Sequence, residues 1–140
     1  MQFAREIVRQ QRSRRHDKHG SGQFGAPRGA RLHRGLDIVT RAGEEIYSPI
    51  VGEVVREALP YAKDPRYRGL VIRGRDAWAD VELKLFYVQG ILTGRVEAGA
   101  TIGFAQNLEL KYPGITNHVH IEARVKGKIV SPFELFGYCF

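Results

Sequence analysis

From Leu36 onward the chain breaks into short apolar runs that recur about every ten residues, each closed by glycine, proline or a charged turn. That rhythm leaves little room for long helices and predicts an all-β fold, an antiparallel sandwich or barrel. Strands are expected over residues 36–39, 46–49 (closed by Pro49), 52–59, 69–73, 81–88 and 119–125. Within 81–88, Val81, Leu83, Leu85 and Tyr87 alternate with Glu82, Lys84, Phe86 and Val88, the pattern of a strand near the middle of a sheet. Residues 95–103 read as a turn and strand, and 59–68, 74–79 and 112–117 as loops or turns. Lys126-Gly-Lys128 predicts a hairpin in which Gly127 supplies a positive φ. Ser131 as cap, Pro132 at the first position and Glu134 behind them predict a short C-terminal helix through Phe136.

The N-terminal part reads differently. Phe3, Ile7 and Val8 at helical spacing predict a short helix over residues 1–11. Four glycines and a proline make 20–29 an irregular loop. The chain's net charge is +7, and residues 1–18 carry six basic side chains (Arg5, Arg9, Arg12, Arg14, Arg15, Lys18) against Glu6 and Asp17. The expected organisation is a basic tail or linker over 1–18 and a metal-binding domain over 19–140. Such a tail is either a solvated linker or an arm for polyanions. With no aromatic residue between Arg9 and Lys18, it offers no stacking platform for single-stranded nucleic acid. Cys139 is the single cysteine, which excludes an internal disulfide and a cysteine-based zinc cluster. No run approaches the roughly 18 apolar residues of a membrane span, and no apolar signal-peptide core follows Met1.

Histidine is scarce, five in all, and three fall in two short motifs, His33-Arg-Gly-Leu-Asp37 and His118-Val-His120. Alternate strand residues share a face, so His118 and His120 point the same way. One imidazole can then bind a metal while the other reaches what the metal holds. Two imidazoles and a carboxylate make a three-ligand site, the catalytic rather than the structural arrangement of zinc. The plainer alternative is a surface His–Asp pair and two unrelated strand histidines. Residues 33–37 suit a loop entering a strand, although a helix would also put His33 and Asp37 on one face. Thr116, Asn117 and Glu122 are candidates to orient a ligand imidazole through its second nitrogen. Tyr47, Tyr61 and Tyr87 are candidate groove residues, and Trp78, in a polar turn, a candidate exposed anchor.

Residues 22–37, 52–54, 94–103 and 116–122 together resemble the lysostaphin/LytM-type zinc endopeptidases. The resemblance implies a compact antiparallel β barrel-sandwich and one zinc ion held by His33, Asp37 and His120. It also implies that His118 acts as a catalytic helper, polarising the attacking water or stabilising the transition state. Asp17-Lys-His-Gly-Ser-Gly-Gln-Phe24, Tyr47-Ser-Pro-Ile-Val-Gly52, Lys84-Leu-Phe-Tyr87 and Tyr112-Pro-Gly-Ile-Thr-Asn-His-Val-His-Ile-Glu122 are closer still to the chemotaxin branch of that superfamily. These are secreted vertebrate signalling relatives without demonstrated proteolysis. Two departures matter. Gln89 stands where the peptidases carry a further histidine in a Tyr-x-His segment, and a glutamine takes no proton near neutral pH. Ser21, Thr40 and Ala79 stand where the chemotaxin branch carries cysteines. The resemblance implies a secreted zinc-binding domain that recognises a cell-surface receptor or glycan. An active endopeptidase cutting glycine-rich peptide or peptidoglycan cross-links is the alternative.

Overall fold

The computed structural model describes residues 2–28, 31–138 and 140; Cys139 lies outside them. The body is built from β1 (Leu36–Val39), β2 (Glu45–Tyr47), β3 (Gly52–Ala58), β4 (Gly69–Gly74) and β5 (Val81–Phe86). It continues through β6 (Val88–Gly90), β7 (Gly94–Val96), β8 (Thr101–Ala105), β9 (His118–Val125) and β10 (Lys128–Val130), and ends in helix α1 (Pro132–Phe136). The larger sheet runs β7-β3-β4-β5-β9-β10, with β1 also paired to β9, and a smaller sheet runs β6-β8-β2. These pairings are antiparallel, and neither sheet closes into a barrel. The sandwich alternative therefore holds.

The alternation read in β5 is the alternation observed. Val81, Leu83 and Leu85 are buried on one side, while Glu82, Lys84 and Phe86 face the other. With Leu70, Ile72, Val119 and Ile121 of the larger sheet and Ile46, Val88 and Ile102 of the smaller, they form one contiguous core. Each fully buried Leu or Ile stabilises the fold by roughly 1.5–3 kcal/mol relative to exposure. The strand does not run on through Val88 as expected. Tyr87 adopts a positive φ of 68°, and both Tyr87 N–H and Val88 N–H donate to the Arg68 carbonyl, at 2.7 and 3.1 Å. The last pair on the larger sheet is Phe86 with Gly69, and the first on the smaller is Val88 with Ala105. Tyr87 is the corner at which one strand changes sheets.

The N-terminal segment departs most from expectation. The described residues 2–11 contain no helix, and Phe3, Ile7 and Val8 are instead buried in the core. Ala4 and Arg5 N–H donate to the Pro49 carbonyl, and Ile7 carbonyl accepts from Tyr47 N–H at 2.8 Å. An isolated helix of eleven residues is marginal in water, so these tertiary bonds and the buried side chains prevail. Further on, Arg14 N–H donates to Asp37 carbonyl (2.7 Å), Val39 N–H to Arg12 carbonyl (2.8 Å) and Asp37 N–H to Gly22 carbonyl (2.9 Å). Residues 12–22 thus line β1 on the edge that β9 leaves open. Arg12, Arg15 and Lys18 stay exposed, but Arg14 is buried. Trp78 is likewise no exposed anchor: it lies in a 3-10 turn (Asp76–Trp78), 8% exposed, with its ring 5.4 Å from Phe3. At the C-terminus, Ser131 Oγ accepts from Phe133 N–H as the capping signals foretold, and Gly137 ends α1 in the left-handed conformation.

Candidate metal centre

On the sheet face opposite the core, register alone assembles the site. His120 stands directly across from Asp37 on β1 and from Phe86 on β5. Phe86 stacks on the His120 ring, centroids 5.5 Å apart and planes at 17°. His118 shares the face, being two residues away on β9. His33 arrives from a hairpin whose ladder pairs Pro27–Arg28 with Arg31–Leu32. Its N–H donates to Ala26 carbonyl and its carbonyl accepts from Gly25 N–H, which fixes the backbone just before β1. Residues 33–35 are therefore a loop entering a strand. Gly35 is needed there because a Cβ would meet the Ile121 carbonyl and come within 2.7 Å of the His120 ring.

Three donor atoms converge. His33 Nε2 lies 2.9 Å from His120 Nδ1, and Asp37 Oδ1 lies 3.3 Å from the first and 3.0 Å from the second. Ligand atoms about 2.0–2.1 Å from a tetrahedral zinc stand roughly 3.3 Å apart, so the triangle has the right size. The outer hydrogen bonds fix the tautomers. His33 Nδ1 faces the Gln23 carbonyl at 2.9 Å, and a carbonyl only accepts. His120 Nε2 faces the Glu122 carboxylate at 3.0 Å. In their neutral forms both rings therefore spend their N–H outward and turn a nitrogen lone pair toward the cluster. Two such lone pairs at 2.9 Å repel unless a proton or a metal ion lies between them, and this donor set of nitrogen, nitrogen and carboxylate suits zinc.

Charge is balanced around these groups. Burial pushes the Asp37 carboxyl up, yet the imidazoles of His120, His33 and His118 outweigh it and hold the group well below the usual carboxylate range. Burial likewise opposes a charge on His120, but its bonds to Asp37 and Glu122 raise its pKa. His118 has its pKa lowered by burial, which the charge of Asp37 and the bond to Thr116 offset only in part. Its Nδ1–H donates to the Thr116 carbonyl at 2.8 Å, and its Nε2 lies 3.3 Å from Asp37 Oδ2. That same Oδ2 accepts from Arg14 Nη1 at 2.9 Å. Arg14 also grips Asp17 through Nε (3.0 Å) and Nη2 (2.7 Å), and Asp17 Oδ2 accepts from Thr116 N–H at 2.9 Å. Hydrogen bonds from Arg14 hold the Asp17 carboxyl far below its ordinary value.

The cluster opens into a groove of about 550 Å³. Tyr61, Tyr87 and Tyr112 form one wall, with Tyr112 O–H donating to Tyr61 Oη and a further 2.9 Å contact between the Tyr61 and Tyr87 hydroxyls. The Tyr87 ring meets His118 edge-on at 5.5 Å. Arg34, Lys84 and Arg124 line the groove on the other strands and loops. Tyr61 and Tyr87 were legible as groove residues; Tyr47 instead borders a separate hollow with Arg5 and Arg9. Gln89 is exposed and absent from the lining, because the corner at Tyr87 turns the tyrosine toward the groove in its place. His19 is exposed at the rim, its Nε2 3.0 Å from the Pro113 carbonyl.

Among the orienting candidates, Glu122 contacts the His120 imidazole and Thr116 contacts His118. Asn117 does not. Its amide bonds Leu108 N–H, Thr40 Oγ1 and the Gln106 carbonyl, tying the loop before β9 to neighbouring chain. Arg14, Asp17 and Tyr112 were not foreseen. Arg14 is indistinguishable in sequence from its exposed neighbours Arg12 and Arg15.

No protein-family model matches the chain. Among solved structures it resembles a zinc containing peptidase from Vibrio cholerae (TM-score 0.65, 22% identity), covering 93% of this chain and 39% of that one. The catalytic domain of lysostaphin from Staphylococcus simulans superposes with a TM-score of 0.63 at 18% identity, covering 84% of this chain and 90% of that domain. The fold is thus that of the lysostaphin/LytM-type peptidases, with a His–Asp–His group where strands β1 and β9 meet. In sequence the chain is 34% identical over 108 residues to leukocyte cell-derived chemotaxin-2 of Bos taurus, covering 76% of this chain and 69% of the bovine protein. The mouse protein matches at the same identity and length, and myeloid protein 1 of Gallus gallus at 31% over 111 residues, a third (33%) of its length. The chain belongs to the leukocyte cell-derived chemotaxin-2 family.

Proposed function

We propose that this chain is a zinc-binding recognition domain that uses a peptidase groove to hold a ligand rather than to cut one. His33 Nε2, Asp37 Oδ1 and His120 Nδ1 would hold the ion, and Gln23 and Glu122 fix the two rings from behind. When bound, zinc supplies a Lewis acid and lowers the pKa of a bound water to about 7. What the chain itself sets beside that centre decides between binding and cutting. The single observation that carries the reading is the identity of the group next to His118: the phenol of Tyr87, the one other imidazole among the described lining residues, apart from His33 and His120 of the cluster, being His19 at the rim. Burial pushes the Tyr87 hydroxyl up to about 12, and Tyr61 is pushed higher. These hydroxyls stay neutral and serve as hydrogen-bonding and stacking surface, while a general base or acid contributes typically 10²–10⁴-fold. The membership of the chemotaxin-2 family supports an extracellular setting and a cell-surface receptor or glycan as partner. No described helix is long and apolar enough to cross a membrane.

His118 favours the second reading, an active metalloendopeptidase, since its Nδ1–H is fixed by the Thr116 carbonyl and its Nε2 points at the cluster. The deciding experiment is incubation of protein shown to hold one zinc with a pentaglycine peptide and with purified peptidoglycan. The expected result is no hydrolysis. Turnover that disappears in His118→Ala would establish the peptidase instead.

A further inference from the structure

The buried contacts of Arg14 close a circuit that reaches both halves of the site. Asp37 Oδ2 accepts from Arg14, Arg14 pairs with Asp17, Asp17 accepts from Thr116 N–H, Thr116 carbonyl accepts from His118, and His118 Nε2 returns to Asp37 Oδ2. We propose that the Arg14–Asp17 ion pair is a positioning clamp for the metal centre. It keeps Asp37 turned so that one oxygen faces the ligand imidazoles, and it ties that aspartate to the loop carrying His118. This rests on reading the His33–Asp37–His120 cluster as a metal site.

The physical case has three parts. Arg14 is 3% exposed, and its guanidinium spends Nε, Nη1 and Nη2 on two carboxylates and the Gly20 carbonyl. The planar fork suits the paired bonds to Asp17, which a lysine cannot copy. A carboxylate bound through one oxygen stays so only if its other oxygen is satisfied, and Arg14 meets that need at Oδ2. The backbone is fitted to the same purpose. Arg14 N–H bonds the Asp37 carbonyl, and a Cβ on Gly22 would come within 2.8 Å of both Arg14 Cβ and Asp37 Cβ, so the three chain segments are in direct contact. The basic segment that sequence alone offers as a tail is in this sense part of the site.

Wild type, Arg14→Gln, Arg14→Lys and Asp17→Asn are compared in three measurements: zinc affinity by competition with a chelator, the visible spectrum of the cobalt(II)-loaded protein, and thermal melting without metal. Removing groups that orient a metal ligand costs roughly 10–100-fold in affinity. Arg14→Gln is expected to lose affinity in that range and to alter the cobalt spectrum, because Asp37 is free to engage through both oxygens. Arg14→Lys restores part of the affinity, and Asp17→Asn shifts both readouts the same way by less. Should Arg14→Gln not fold, Asp17→Asn and Arg14→Lys still decide the matter. Wild-type affinity and spectrum in the variants overturn the clamp. So does an affinity loss with an unchanged cobalt spectrum, which marks a merely structural role. Failure of the wild type to bind zinc or cobalt removes the metal-site reading itself, and the clamp with it.

Discussion

At the residue scale, the site was legible where strand periodicity carried it and illegible where it depended on partners far along the chain. His118 and His120 share a face by alternation, and Asp37 falls opposite His120 by register. Asn117, adjacent to the motif, turns away because its amide satisfies backbone groups at Gln106 and Leu108. If the ligand set is right, His33→Ala loses stoichiometric zinc, measured by elemental analysis after dialysis; one ion per chain retained in that variant would refute the assignment. Gly35 gives a sharper test, because the atoms an added Cβ would meet belong to backbone and to the His120 ring. Overpacking of this kind typically costs 1–3 kcal/mol. Gly35→Ala is expected to melt lower and to bind zinc more weakly, whereas Gly43→Ala, whose Cβ would meet nothing, leaves zinc affinity unchanged despite its positive φ.

At the level of elements, strands and the N-cap were read correctly and the N-terminal helix was not. The runs at β3, β4, β5 and β9 declare themselves because each buries a full face of apolar side chains. The corner at Tyr87 is invisible in sequence, since the residue fits the alternation and only the Arg68 carbonyl shows that the strand turns. Residues 2–22 mislead because their few apolar side chains are spaced like a helix and their charges resemble a solvated arm. Ile7 separates the two pictures. It is 0% exposed, so Ile7→Ala is expected to destabilise the protein by about 2–5 kcal/mol in urea unfolding, like Leu85→Ala in the middle of the larger sheet. A tail residue would cost nothing measurable. At the other end, Ser131→Ala removes the side-chain acceptor for Phe133 N–H and should cost about 1 kcal/mol.

For the molecule as a whole, pH reports on how the segment is fastened. Arg14 lowers the Asp17 carboxyl in the folded state, so the unfolded chain binds that proton more readily. The stabilisation is therefore complete above the unfolded value of about 3.9 and fades as pH falls below it. Asp17→Asn should melt lower than wild type without metal at pH 6 and show a flatter acid decline below about pH 4; parallel curves would mean that Asp17 contributes nothing through its charge. The same fastening orders events during synthesis. Arg14 and Asp17 leave the ribosome early, yet Thr116 and His118 follow about a hundred residues later, and Phe3 N–H waits for the Leu135 carbonyl. Contacts so distant in sequence form late, because the loop between them must close first. The nascent chain therefore holds Asp17 without its Thr116 donor until β9 emerges, the His–Asp–His cluster cannot close before that, and Phe3 is fastened only once α1 has followed.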